Sequence, residues 1–196
     1  RIDKDLLSKY KDGIIALTAC LAGELPDKLI NEGEEKAEEA LLEYKEMFGD
    51  DFYLELQRHP TGNPEMDKKV YDDQVFVNKS LIQLAKKHNL KLVATNDSHF
   101  IDADDASAHD RLICIGTAKD LDDPKRMRYT QQEWFKTQSE MRKLFADLPE
   151  AISNTKEVAD KIEIYELNKA PIMPEFIIPE EFNDADAYLK HITYIG

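Results

Sequence analysis

Lys91-Leu92-Val93-Ala94-Thr95-Asn96-Asp97-Ser98-His99-Phe100 is the stretch on which the reading of this chain turns. Its first half is a short apolar run of the kind buried strands carry, and its second half is a polar turn. Upstream, Val70, Gln74, Val77, Leu81, Leu84 or Ala85, and His88 recur at helical spacing. Asn63 and Pro64 supply a cap and a first-turn proline, so one helix is predicted from Asn63 to His88. A second strand is predicted over Phe52-Tyr53-Leu54-Glu55-Leu56-Gln57, broken by His59-Pro60-Thr61-Gly62. Before it, Ala37, Ala40, Leu41, Tyr44 and Met47 share one face of a helix of about fifteen residues beginning near Gly33. Gly49 stands where that helix stops. A first strand is predicted over Gly13-Ile14-Ile15-Ala16-Leu17-Thr18, and a third helix runs through Ala106, His109, Leu112, Ile113 and Ile115. Strands alternating with amphipathic helices imply an α/β fold with a parallel sheet, either an open doubly wound sheet or a barrel. No Gly-x-Gly-x-x-Gly and no Walker-type loop follows any strand, which disfavours a nucleotide-binding sheet.

The pattern changes after this unit. Leu121-Asp122-Asp123-Pro124-Lys125-Arg126-Met127-Arg128-Tyr129 is a loop with a local basic knot, and short helices are expected at Ser139 to Phe145 and Pro149 to Ile162. Pro171, Pro174 and Pro179 mark an extended connector between Tyr165 and Phe182, with another helix from Asp184. Residues 1–164 are therefore expected to form one domain, and 165–196 a connector leading into another region. The net charge of −14 argues against broad nucleic-acid binding by this piece alone. Two cysteines, Cys20 and Cys114, make no disulfide framework. No apolar run reaches the roughly 18 residues a membrane span needs. A soluble cytoplasmic protein is expected, and the opening at Arg1 reads as the interior of a longer polypeptide.

In parallel α/β folds the C-terminal strand ends carry the site. The first strand end delivers Cys20, the second Glu55, Gln57 and His59, and the third Asp97 and His99. Side chains two apart in extended backbone share a face, so Asp97 and His99 can present an oxygen and a nitrogen to one ion. Thiolate, imidazole and carboxylate together suit zinc or a similar metal. The plainer readings stay open: Asp after a strand caps the next helix, and a lone Cys20 packs as a small apolar residue. Cys114 lies on an apolar helical face, and His88 near a helix end. His109 reads equally as a partner of a ligand or as packing. Lys125, Arg126 and Arg128 suit a solvated loop at least as well as a phosphate or partner contact.

Taken in order, Thr18-Ala19-Cys20-Leu21-Ala22-Gly23-Glu24, Phe52-Tyr53-Leu54-Glu55-Leu56-Gln57-Arg58-His59, Val93 to Phe100, Ala108-His109-Asp110, Leu121 to Arg126 and Leu144 to Thr155 resemble the polymerase and histidinol phosphatase (PHP) domain of bacterial replicative DNA polymerases of the C family. The resemblance implies part of a distorted seven-stranded, TIM-like α/β barrel, followed by helices and a Pro-rich lead into a palm domain. It implies that Cys20, Asp97 and His99 are the late ligands of a metal cluster, commonly zinc, whose early ligands lie before Arg1. Glu55, His59 and His109 would stand behind them. It further implies magnesium for the parent polymerase, DNA as substrate, and replisome contacts such as a sliding clamp or a separate proofreading exonuclease. The implied activity is 3′–5′ exonuclease within a DNA-directed DNA polymerase. A non-catalytic docking module and a free-standing phosphatase of the same superfamily are the alternatives.

Overall fold

A computed structural model of the chain describes residues 2–68 and 70–195. They divide into two compact units, Arg1–Ile162 and Glu163–Gly196. The first holds a parallel sheet in the order β1 (Ala16–Leu17), β2 (Phe52–Gln57), β3 (Lys91–Thr95). The register pairs Ala16 with Phe52, Tyr53 with Lys91, and Gln57 with Thr95. Alternation along β2 then sorts the sheet into two faces. Phe52, Leu54 and Leu56, with Leu92 and Ala94 of β3, enter the hydrophobic core. Tyr53, Glu55 and Gln57 take the opposite face, beside Val93 and Thr95.

The first face is covered by α2 (Glu24–Asn31), α3 (Glu34–Phe48) and α5 (Tyr71–His88). They contribute Leu25 and Leu29, then Ala37, Ala40 and Leu41, then Val77, Leu81, Leu84 and Ala85. Each large side chain so buried contributes about 1.5–3 kcal/mol relative to leaving it in water. α3 ends at Gly49, whose φ of +55° is free of Cβ strain, and α5 ends at the left-handed Asn89. α8 (Pro149–Asp160) packs against β3, and its Asn154 amide donates to the Leu92 carbonyl at 2.8 Å. That contact satisfies a ladder group on the outer edge of the sheet.

Several elements differ from the sequence reading. The first strand shrinks from six residues to Ala16–Leu17, because side chains take over the pairing beyond it. The helix predicted from Asn63 to His88 is two. Asn63 caps the single turn α4 (Pro64–Asp67), whose Asp67 carboxylate turns back to accept from the Thr61 N–H and hydroxyl, at 2.9 and 2.6 Å. α5 starts afresh at Tyr71. α1 (Lys4–Lys9) and α2 went unpredicted. Pro26 sits in the first turn of α2, where proline is tolerated, and Leu25 and Leu29 make its buried face. The later helices fall as expected: α6 (Ala106–Thr117), α7 (Gln138–Leu144), α8 and, in the second unit, α9 (Ala185–Ile195). In that unit the Phe182 ring packs edge-on against Tyr188 at 5.0 Å. Part of a seven-stranded parallel barrel was expected; among the described residues the sheet is parallel and has three strands. No described helix is long and apolar enough to cross a membrane.

Candidate functional site

Glu55 ties the ends of all three strands together. Its N–H donates to Thr18 Oγ1 at 2.8 Å, and its Oε2 accepts from the Ala19 N–H at 3.0 Å. Its Oε1 accepts from Thr95 Oγ1 at 2.5 Å and Gln57 Nε2 at 3.0 Å. Hydrogen bonds to a carboxylate are the stronger kind, about 1.5–3 kcal/mol each. The chain turns sharply after Thr18: Ala19 has φ +61°, and the Gly23 N–H closes on the Cys20 carbonyl at 2.8 Å. Gly23 passes so close that a Cβ there would lie 2.1 Å from the Thr18 carbonyl oxygen. The loop thus presents Cys20, half-buried and a free thiol, on a foundation of side-chain bonds. Cys114 is also free, and buried as expected.

At the end of β3, Asp97 Oδ1 lies 3.5 Å from His99 Nε2, with both side chains about one-third exposed. Extended spacing was expected to bring them together. The actual cause is different, since Asp97 is left-handed at φ +45° and the backbone is not extended there. His99 packs its ring 4.6 Å from Tyr129 and 5.7 Å from His109 of α6, and His109 in turn lies 5.1 Å from Phe100. His109 is thus a ring neighbour of His99. Burial raises the Tyr129 phenol above its usual pKa, and the nearby Asp97, Glu133 and Cys20 raise it further. One phenol therefore feels both the Cys20 loop and the Asp97 turn. A cavity of about 400 Å³ opens beside this ring, lined by Arg126, Arg128 and Thr130 among others.

Among the described residues no group of three or more His, Cys, Asp or Glu side chains converges closely enough to hold a metal ion. Asp97 and His99 meet, but Cys20 does not complete a three-donor set with them. Two donors are too few for the closed or catalytic zinc geometries. The described residues of this chain therefore do not fit a complete centre.

Of the remaining candidates, His59 and Arg126 are engaged elsewhere. His59 is buried beneath the Asp97 turn, and desolvation pushes its pKa below the usual histidine value. Arg126 was grouped with Lys125 and Arg128 as a cationic contact. Instead it forms a two-pronged pair with Asp110 at 2.5 and 2.8 Å, which holds the Asp110 carboxyl below its usual pKa. Lys125 and Arg128 stay exposed. Sequence reasoning gave no role at the site to Thr130, Glu133 or Tyr129. The available signal was the Thr130-x-x-Glu133 spacing, which matches a capping box but here closes a turn.

Residues 1–59 match the PHP domain family. Across its whole length the chain is 40 % identical to DNA polymerase III subunit alpha of Borreliella burgdorferi. It is 37 % identical, again over its whole length, to the subunit of Thermus aquaticus, and 41 % identical over 93 % of its length to that of Campylobacter jejuni. The chain is a homologue of one segment of DNA polymerase III subunit alpha. It spans about one-sixth of these relatives: 16 %, 16 % and 15 % of their lengths. Cys20, Glu55 and His59 lie inside the PHP match, whereas Asp97 and His99 lie beyond it, in sequence shared with the polymerase subunits.

Proposed function

We propose that this chain forms part of the PHP region of a replicative DNA polymerase alpha subunit, and that Cys20, Asp97 and His99 serve a phosphodiester-hydrolysing site there. The observation that carries the reading is similarity along the whole chain to DNA polymerase III subunit alpha at 34–41 % identity. The convergence of Asp97 and His99 at the end of β3 supports the hydrolytic part. On this reading residues 1–164 belong to a barrel whose other strands come from elsewhere in the longer protein, and 165–196 lead towards the palm. Donors from those other strands complete the metal set, with zinc as the first metal to test. Polymerisation, with its magnesium, resides outside this segment. DNA and the other replisome subunits are met through the whole polymerase, in the bacterial cytoplasm.

The experiment is a pair of assays on the full-length protein carrying this segment, wild type against Asp97→Asn and His99→Ala. Nucleotide removal from a 3′ end is expected to fall about a hundredfold, the scale of losing a metal-supporting side chain. Nucleotide addition is expected to stay within about twofold, because the palm is separate. Unchanged 3′ removal in both variants sinks the hydrolytic reading and leaves the segment as a scaffold that docks partners. A loss of both activities with loss of the folded signal points to misfolding, which a thermal melt separates.

A further inference from the structure

We propose that Glu133 is a positioning residue: it holds the Asn96–Phe100 turn in the arrangement that brings Asp97 and His99 together. The inference rests on reading those two as a working pair.

The segment from Thr130 to Phe135 is laid along the turn. The Glu133 carbonyl accepts the His99 N–H at 2.7 Å, and Phe100 forms a bridge with Trp134. The Asn96 amide donates to the carbonyls of Gln132 and Trp134, at 2.9 and 2.7 Å. So three carbonyls in a row, from Gln132 to Trp134, grip the residues on either side of Asp97. Asp97 itself is left-handed, a conformation that a non-glycine residue keeps only where its surroundings enforce it. This grip is what enforces it.

The Glu133 side chain fixes the grip in turn. It is 2 % exposed, and its Oε1 accepts from the Thr130 N–H at 3.0 Å and the Thr130 hydroxyl at 2.5 Å. It also lies 3.6 Å from His59 Nδ1. His59 Nε2 meets the Asn96 carbonyl at 3.0 Å, so that nitrogen carries the hydrogen and donates. Nδ1 then accepts from Gln74 Nε2 at 3.0 Å, and the Gln74 Oε1 accepts the His59 N–H at 2.8 Å. Gln74 comes from the first turn of α5, which is packed on the sheet. The turn is thus held from two sides, by the Glu133 segment and by His59 anchored on α5.

Stability alone does not account for this arrangement. Among the described residues, Glu133 Oε2 and Asn96 Oδ1 are buried without a hydrogen-bond partner. A buried acceptor without a partner works against folding, a cost that an apolar side chain of similar shape would not incur. A buried carboxylate here makes sense as a device that selects one backbone geometry.

Hydrogen exchange read by mass spectrometry on the full-length protein tests the proposal. In Glu133→Ala, the peptide covering Asn96 to Ile101 is expected to exchange about tenfold faster, equivalent to about 1.4 kcal/mol of lost local protection. Peptides covering β2 and β3 should stay within about twofold of wild type. Glu133→Gln keeps an acceptor for Thr130 and is expected to restore most of the protection. An unchanged 96–101 peptide, a uniform rise across all peptides, or no rescue by Gln overturns the proposal. If the Ala variant does not fold, Thr130→Val decides: about threefold faster exchange confined to 96–101 supports the grip, and no change overturns it. The readout needs neither DNA nor metal. Local exchange that shifts as expected, while Asp97→Asn and His99→Ala both leave 3′ removal intact, would sink the hydrolytic reading and leave the positioning role standing.

Discussion

Replacing Gly23 by alanine should displace the Cys20 loop from the sheet. An alanine Cβ would lie 2.1 Å from the Thr18 carbonyl oxygen and 3.1 Å from that of Cys20. Real Cβ atoms keep at least about 3 Å from such oxygens, so the backbone must open by about 1 Å. The obstacle is main chain and cannot rotate away. The opening pulls on two bonds that hold the loop: Ala19 N–H to the Glu55 carboxylate, and Glu55 N–H to Thr18 Oγ1. The first is charge-assisted, worth about 1.5–3 kcal/mol, and the second about 0.5–1.5 kcal/mol. Their loss predicts a destabilisation of about 2–4.5 kcal/mol. With a urea slope of about 2 kcal/mol per molar, the unfolding midpoint should fall by about 1–2 M. Cys20 should also react about tenfold faster with a thiol-specific disulfide reagent, the local opening expected when its support is lost. Cys114 is buried and supplies only a slow background. Gly116 is the control: it lies in α6, and an added Cβ meets nothing within 4 Å. Gly116→Ala should be neutral or stabilise by up to about 1 kcal/mol. A Gly23→Ala midpoint within about 0.2 M of wild type, with an unchanged Cys20 rate, would refute the close-approach argument.

Three further outcomes follow from other contacts. Arg58 grips Asp147 with two nitrogens at 2.6 and 2.9 Å, bonds the Leu144 carbonyl, and stacks 4.7 Å over Phe145. Lysine reproduces neither the fork nor the stacking, so Arg58→Lys should cost about 1–2 kcal/mol in a urea melt, after allowing for the exposure of Asp147. Tyr53 is fully buried, and its hydroxyl donates to Glu157 at 2.6 Å. Tyr53→Phe should lower stability by about 1 kcal/mol while keeping the fold, and no change in the melt would show that bond to be idle. His59 is held neutral because burial depresses its pKa below the ordinary 6.5. The unfolded chain takes up that proton as pH falls through about 6.5, and the folded chain does so only at lower pH. Stability from this group is therefore complete above about pH 6.5, declines below it, and levels off past the depressed folded value. Urea melts between pH 8 and pH 5 should show the decline, and His59→Gln should flatten it; equal slopes would count against a buried neutral ring.

The parts of the fold that were legible are those whose physics is local or periodic. β2 was legible from the alternation that sends Phe52, Leu54 and Leu56 to the core, and β3 from its apolar run Leu92-Val93-Ala94. α3 is bounded by Gly33 and Gly49, both at positive φ, where other residues are strained. α2 escaped notice because eight residues with two buried leucines give little period to read. The seven-stranded barrel was implied only by the resemblance, and the described residues form three parallel strands.

The site divides in the same way. Cys20, Asp97 and His99 could be named from residue type and strand position, since those features are local. What sets their geometry is not local. Asn96 reaches residues 36 and 38 positions away, and Thr18 bonds Glu55 across 37. Such contacts run from side chain to backbone, so the backbone partner contributes only a carbonyl or an N–H, and its residue type leaves no mark in the sequence. Only the polar ends of the contacts are visible, as an asparagine, a threonine or a glutamate of ordinary appearance. The two-residue spacing of Asp97 and His99 suggested an extended pair, and the left-handed turn that joins them was hidden because it belongs to the residues holding it. Changes at Glu133 should therefore alter the Asp97–His99 pair more than their distance in the sequence suggests. Changes at Lys125 or Arg128, near in chain and basic in character, should alter it less.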